Sequence, residues 1–349
     1  MKAFKYILFL LLIAIIGVSI YIAVQPNSFE VTRSHTIKAP TAVIYDNVID
    51  FKNWEAWSSW KEENPEIEIK LPEQTKGING SYSWVDDGEK GTMTTIATNA
   101  PNSIEQKMQI DDFPASKVVW KFEAKGDGTT KVTRTISGTD LPFMFKAFMT
   151  LSGGMEKQIG PHFEREFEKL DSIVVNGMNA YTIKVDGITE HGGGFYMYKT
   201  TSASSSNISN MMAKQYADIL NFMQDHSLSM NGMPFTIYNE MNANGDVIMS
   251  NAIPVRDKVI VADDSNVLCG YMDKARVVKT TLKGNYTHLG KAWESAMKYI
   301  KDNHLEQSEA HPFEIYTNDP GNTPNPADWT TEIYIPIKEE VIVTETEQL

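Results

Sequence analysis

Hydrophobic patterning changes character three times along the chain. Residues 6–24 run without a charge behind Lys2 and Lys5. That length suits the ~20 apolar residues that cross a ~30 Å hydrocarbon core, and it exceeds the roughly 7 to 15 of a cleavable signal's apolar region. An uncleaved anchor is expected, its lysine-bearing end cytoplasmic and the remainder on the far side of the membrane. From 29 to 175 the period is two: strands are predicted at 29–37, 67–71, 80–86, 91–98, 103–110, 116–124 and 129–137, with turns at Asp87-Gly88 and Gly126-Asp-Gly128. A helix is predicted at 42–49 with Thr41 as its N-cap, and a last helix at 162–174. Trp54, Trp57 and Trp60 recur every third residue, giving one aromatic face on a short helical turn. Core packing is the expected role of Trp54 and Trp57, because large aromatics dominate cores.

Beyond 180 one pattern occurs twice. The stretch beginning Tyr216-Ala-Asp-Ile-Leu aligns without a gap with Trp293-Glu-Ser-Ala-Met, so Asp225 and Leu228 fall on Asp302 and Leu305. Downstream, Pro234-Phe-Thr-Ile-Tyr238 meets Pro312-Phe-Glu-Ile-Tyr316, and Ile253-Pro-Val255 meets Ile335-Pro-Ile337. Helix, strand and strand recur together. Two copies are too few to stack as a solenoid, so a closed pseudo-twofold domain with a cleft between the copies is expected. The organisation is thus an anchor and short linker at 1–28, a first soluble domain at 29–176, a second at 180–338 and an acidic tail at 339–349.

The run Thr331-Glu-Ile-Tyr-Ile-Pro-Ile337, after Pro312-Phe-Glu-Ile-Tyr316 and Gly284-Asn-Tyr286, resembles the gyrase-inhibitor-like (GyrI-like) family, which includes effector-binding domains of multidrug-responsive activators. The resemblance covers about 181 to 338. It implies a duplicated α+β domain whose cleft takes hydrophobic, often cationic, small molecules, and some members are similar to hydrolases of strained electrophiles. In the first domain, the element order together with Lys76-Gly-Ile-Asn-Gly80 before Trp84 and Gly128-Thr-Thr-Lys-Val-Thr133 resembles the START-like or polyketide cyclase/dehydrase superfamily. That resemblance implies a helix-grip fold, in which a curved antiparallel sheet wraps a long C-terminal helix around an apolar cavity. The fold class is therefore α+β in both halves.

Composition narrows the function. A formal charge of −13 disfavours a nucleic-acid surface, which needs basic residues to displace phosphate counterions. A single cysteine, Cys269, excludes an intramolecular disulfide. The seven histidines fall in no zinc-type spacing, and Gly192-Gly-Gly194 lacks the order of a phosphate-binding loop, so neither a metal nor a cofactor is expected. Ser204-Ser-Ser206 lacks the flanking glycines of a nucleophile elbow. The Leu151-Ser-Gly-Gly-Met155 stretch reads as a turn before the last helix.

One carboxylate breaks the symmetry of the repeat. Aligning Pro336 with Pro254 sets Glu332 opposite Ser250. Strand alternation sends Glu332, Tyr334 and Pro336 one way and Ile333, Ile335 and Ile337 the other. If the isoleucines are the packed face, Glu332 and Tyr334 look into the cleft, where low dielectric raises a carboxyl pKa unless a cation pairs with it. The GyrI-like resemblance implies the same, since its cation-binding or catalytic glutamate stands at this Glu-Ile-Tyr-Ile-Pro position. Trp293, Tyr286, Tyr316 and Tyr238 are the aromatics expected to complete the cage, although the two symmetric tyrosines serve equally well as hydrogen-bonded core residues. Three readings stay open: a membrane-anchored binder of a hydrophobic or cationic molecule, a hydrolase using Glu332 as general base, and a structural envelope protein.

Overall fold

A computed structural model describes residues 2–242 and 244–339, without side-chain detail at Lys2 and Ala3. The acidic tail from 340 onward lies outside the described residues. The chain divides into two compact units, Met1–Gly177 and Met178–Leu349.

The first unit opens with α1 (Lys2–Ala23), whose 4–23 stretch is long and apolar enough to cross a membrane. From Phe4 to Tyr21 its side chains stand exposed apart from the half-buried Ser19, and Ile22 is buried. Strand β1 (Ser28–Ile37) then leads to α2 (Thr41–Ile49). Pro40, not Thr41, occupies the N-cap position, and the Thr41 hydroxyl instead meets Thr130 Oγ1 at 3.2 Å. The proline's fixed φ and the cross-sheet partner outweigh local capping here. The tryptophans lie on two short helices, α3 (Trp54–Trp57) and α4 (Ser59–Glu63). A continuous antiparallel meander follows: β2 (Glu68–Lys70), β3 (Ser81–Asp86), β4 (Glu89–Asn99), β5 (Ser103–Ile110), β6 (Ser116–Ala124) and β7 (Thr130–Thr139). The sheet order is β1-β7-β6-β5-β4-β3-β2, so β1 pairs with the end of the meander.

Period two sets the inner face. Along β7, Thr130, Val132, Arg134, Ile136 and Gly138 are buried in alternation, and Val118, Trp120 and Phe122 do the same on β6. Helix α5 (Phe143–Ser152) comes next, an element the sequence reading missed. Gly153 and Gly154, at φ +89° and +93°, end it and turn the chain into α6 (Met155–Met178), since only glycine takes two such angles at low cost. Helix α6 lays Ile159, Phe163, Phe167, Leu170 and Val174 across the sheet. The space between sheet and helix, where an apolar cavity is expected, holds Trp54, Trp57, Trp120, Tyr82 and Phe163 around a buried ion pair of Arg134 and Glu166. Trp54 and Trp57 are core residues, as read from sequence, while Trp60 is exposed and stacks on His162 at 3.6 Å.

The second unit comprises β8 (Thr182–His191), β9 (Gly194–Ala203), α7 (Ile208–Asp225), β10 (Phe235–Met241), β11 (Val247–Val255), β12 (Leu268–Met272), β13 (Ala275–Lys283), α8 (Leu289–Asp302), β14 (Phe313–Tyr316) and β15 (Thr330–Pro336). Its sheet runs β12-β9-β11-β10-β14-β15-β13-β8. The duplication is visible in that order: β9-α7-β10-β11 and β13-α8-β14-β15 are the two copies, and they meet antiparallel at β10 and β14. Thr236 pairs with Glu314 at the centre of that seam, with Phe235–Ile315 and Ile237–Phe313 placed symmetrically about it. The pseudo-twofold axis therefore passes between Thr236 and Glu314.

The sheet must also curl. Only Gly192 and Gly193 separate β8 from β9, although these strands lie six places apart in the sheet order. Laid flat, six spacings of ~4.8 Å would need about 29 Å, and a link of this length reaches about 11 Å. Gly193 N–H donates to the Met272 carbonyl at 2.7 Å, and a Cβ on Gly192 would stand 2.2 Å from the Asp273 carbonyl oxygen. This crossing is why the glycine run is there. Helices α7 and α8 pack on one face of the curl, burying Ile219 and Met223, and Ala292, Ala296 and Ile300.

Candidate functional site

Both helices bring one aromatic residue to the seam. Tyr216 of α7 and Trp293 of α8 are equivalent in the repeat, and each reaches the equivalent strand residue below it. Tyr216 Oη meets Thr236 Oγ1 at 2.9 Å, and Trp293 Nε1 donates to Glu314 Oε1 at 2.6 Å. The other carboxylate oxygen accepts from Tyr238 Oη at 2.9 Å and Tyr316 Oη at 2.8 Å, again an equivalent pair. On the other half of the seam the Thr236 hydroxyl donates to Asn251 Oδ1, whose amide donates in turn to Gln215 Oε1, at 2.7 and 2.6 Å.

Five aromatic rings surround the carboxyl. Tyr238 meets Trp293 edge to face at 5.6 Å, while Tyr216 and Tyr286 both present themselves edge-on to Tyr316, at 6.4 and 5.7 Å. Glu314 is only 1% exposed. Burial pushes its pKa up, because the charged form loses its hydration, and the three donors from Trp293, Tyr316 and Tyr238 only partly oppose that. The same burial drives the Tyr238 and Tyr316 hydroxyls well above their usual range and Tyr286 up to about 12, so all stay donors near neutrality. No Lys or Arg forms an ion pair with Glu314 among the described residues.

The structure divides the residues singled out by sequence. It brings Trp293, Tyr238, Tyr316 and Tyr286 together, but around Glu314, not around Glu332. Glu332 lies opposite Ile315 in β14, one residue out of phase with Ile333, which lies opposite Glu314. It therefore projects from the sheet face that α7 and α8 do not cover. There its Oε1 accepts from Lys279 Nζ at 2.6 Å and its Oε2 from Tyr334 Oη at 2.7 Å. Tyr334 is buried on the same face, stacked on Phe313 at 5.0 Å and tilted against His191 at 4.5 Å. The alternation of this strand is as read, and it sends Glu332 and Tyr334 to the face opposite the one that carries Glu314. The isoleucine face is packed because the helices cover it, and Glu314 and Tyr238 are buried on that same face. The missed signal was in the repeat itself: Pro-Phe-Thr-Ile-Tyr becomes Pro-Phe-Glu-Ile-Tyr, placing an ionisable group at an inward position.

Among the described residues no cluster of His, Cys, Asp and Glu is arranged to hold a metal ion. The description "GyrI-like small molecule binding domain" matches residues 246–338, which include Glu314, Trp293, Tyr286, Tyr316, Glu332 and Tyr334. Several solved structures are similar to parts of the chain. The C-terminal domain of EcmrR is 20% identical, with 46% of this chain and 99% of that one covered at a TM-score of 0.38. An EcmrR–DNA complex is 19% identical over 53% of this chain and 69% of that one, at 0.41. A START superfamily protein from Mycobacterium smegmatis is 16% identical over 42% and 97%, at 0.31. A comparison with curated proteins returns no match. Behind an apolar N-terminal helix the chain thus carries one antiparallel α+β unit and a second, duplicated α+β unit, of which residues 246–338 match the GyrI-like small-molecule-binding description.

Proposed function

We propose that the second unit binds a lipophilic cation between α7 and α8, with Glu314 as its counter-charge and Trp293, Tyr238, Tyr286, Tyr316 and Tyr216 as its walls, and that α1 anchors the chain in a membrane. One observation carries this reading: a fully buried carboxyl is held by three neutral donors and, among the described residues, has no cation beside it. Burying a carboxylate is costly unless it is paired. A cation entering the box supplies the missing partner, and each ring it faces adds roughly 0.5 to 2 kcal/mol. Two or three rings with a desolvated carboxylate reach the ~8 kcal/mol that micromolar binding requires. Met211, Met212 and Trp293, partly exposed around Tyr238, are the side chains that must part to admit it. Methionine suits such a gate because its thioether stem repacks readily.

Glu332 supports a different role. Both of its oxygens already accept hydrogen bonds, one from an ammonium group. It acts in this reading as a structural partner of Lys279, and the hydrolase reading built on it gains no support from the geometry. The test is a titration of the full chain with tetraphenylphosphonium and with a neutral compound of similar bulk, followed by tryptophan fluorescence. Saturable binding of the cation, with weaker binding of the neutral compound, is expected. Equal binding of the two would remove Glu314 from the proposal.

A further inference from the structure

Helix α5 buries no residue completely. Phe145 is its inward anchor, stacked on Phe29 at 6.0 Å and set edge-on to Phe113 at 5.6 Å. The opposite side is apolar and bare: Phe143 is 46% exposed, Met144 71%, Phe148 55% and Leu151 80%. Met144, Phe148 and Leu151 stand at i, i+4 and i+7, so they form one stripe, with Ala147 between them and no charge on it. A water-facing helix carries polar residues on that side. Contiguous exposed apolar surface of this kind marks a contact with another apolar phase.

Its position says which phase. Helix α5 packs against α1, and Lys146 Nζ donates to the carbonyl of Ala23, the last residue of α1, at 3.3 Å. The stripe thus lies beside the point where the apolar helix leaves the unit. At ten residues α5 is half the length that spans a bilayer, so it can lie only at the surface. We infer that α5 is an interfacial helix, which beds Met144, Phe148 and Leu151 into the headgroup region of the bilayer that α1 crosses and holds the first unit against that surface. The inference rests on the reading of α1 as a membrane anchor. Tethering by α1 makes insertion intramolecular, so a stripe too small to bind a membrane alone suffices. Lys146 meanwhile reaches back to the end of the span, as long basic side chains do at an interface.

The experiment uses the full chain in phosphatidylcholine–phosphatidylglycerol vesicles, with Cys269→Ser as background. Single cysteines introduced as Met144→Cys, Leu151→Cys and Asp127→Cys carry an environment-sensitive fluorophore. Asp127 is the control, because it lies in the turn before Thr130, while α5 adjoins the Thr139 end of β7 about 30 Å away. The expected result is that nitroxide-bearing lipids quench the probes at 144 and 151 several-fold more than the probe at 127, and that aqueous iodide does the reverse. If the chain floats with the vesicles but the α5 probes behave like the one at 127, the interfacial helix is refuted while the anchor stands. Probes at 144 and 151 shielded from both quenchers would show a protein surface covering α5, which also refutes it. Failure of the chain to float would overturn the anchor and this inference together.

Discussion

Replacing Glu314 by Gln isolates the charge at the centre of the second unit. The amide fits the site: its oxygen can accept from Trp293 Nε1, while its NH2 donates to the Tyr238 and Tyr316 hydroxyls, which rotate to become acceptors. The fold is therefore expected to survive. For a bound cation, the loss is that of a desolvated counter-charge, and truncating one partner of a buried charge pair costs about 2 kcal/mol or more. That corresponds to roughly a thirtyfold rise in Kd for tetraphenylphosphonium, at 1.4 kcal/mol per factor of ten. A neutral ligand of the same bulk should change little. The pH dependence supplies an independent reading. Because burial raises the folded pKa of Glu314, the carboxyl takes up its proton at a higher pH than a solvent-exposed glutamate does, and below the folded pKa the cation must expel that proton to pair. Affinity should therefore fall as pH drops below the folded pKa, by up to about tenfold per unit, and should be flat in Glu314→Gln. The same shift acts on folding: the raised pKa contributes stability that is complete below 4.5 and lost as pH rises through the folded value. The second unit should thus lose stability over that rise, and the Gln variant should not. Calorimetry across the pH series with and without ligand measures both effects. A Gln variant that binds the cation as tightly as the parent, with the same pH profile, would refute the assignment of Glu314.

Three further outcomes follow from the geometry. Glu332→Gln should leave cation affinity unchanged while lowering the melting temperature of the second unit, because it breaks the Lys279 pair on the far face; a loss of binding in titration would restore Glu332 to the site. Tyr316→Phe removes one of three donors to the carboxyl and should cost about 1 kcal/mol in stability, with the Glu314 pKa rising further, as read from the shifted pH profile of binding. In the first unit, Arg134→Leu should destabilise by roughly 3 to 5 kcal/mol because it strands Glu166 in the aromatic core, while Arg134→Leu with Glu166→Leu should recover most of that in denaturant melts.

What could be read from the sequence was what depends on period and repetition. Strand alternation in residues 103–137 places Ile104, Trp120, Val132 and Ile136 inward without knowledge of any partner. Helix α5 escaped because its apolar residues do not sort into one buried face: Phe145 packs inward while Met144, Phe148 and Leu151 stand exposed, so no amphipathic pattern marks it. Thr41 failed as a cap because the threonine found its partner 89 residues away. Local signals decide only where no tertiary contact competes.

The site itself turned on a question that period alone cannot answer. Alternation assigns residues to two faces but does not say which face a helix will cover, and in this sheet both faces bury aromatic side chains. The duplication could have settled it. An antiparallel seam between two copies must pair equivalent strands about their own centre, and the register puts that centre at Thr236 and Glu314. Near a pseudo-twofold axis equivalent side chains converge, so Tyr238 meets Tyr316 and Tyr216 mirrors Trp293. Two carboxylates paired across the seam would repel each other in low dielectric, whereas a threonine opposite a glutamate leaves a single carboxyl in a nearly symmetric aromatic box. On the proposed reading, divergence at that one position turns a duplicated scaffold into a site for one positive charge, which is why the difference between Thr236 and Glu314 outweighs the longer stretches the two copies share.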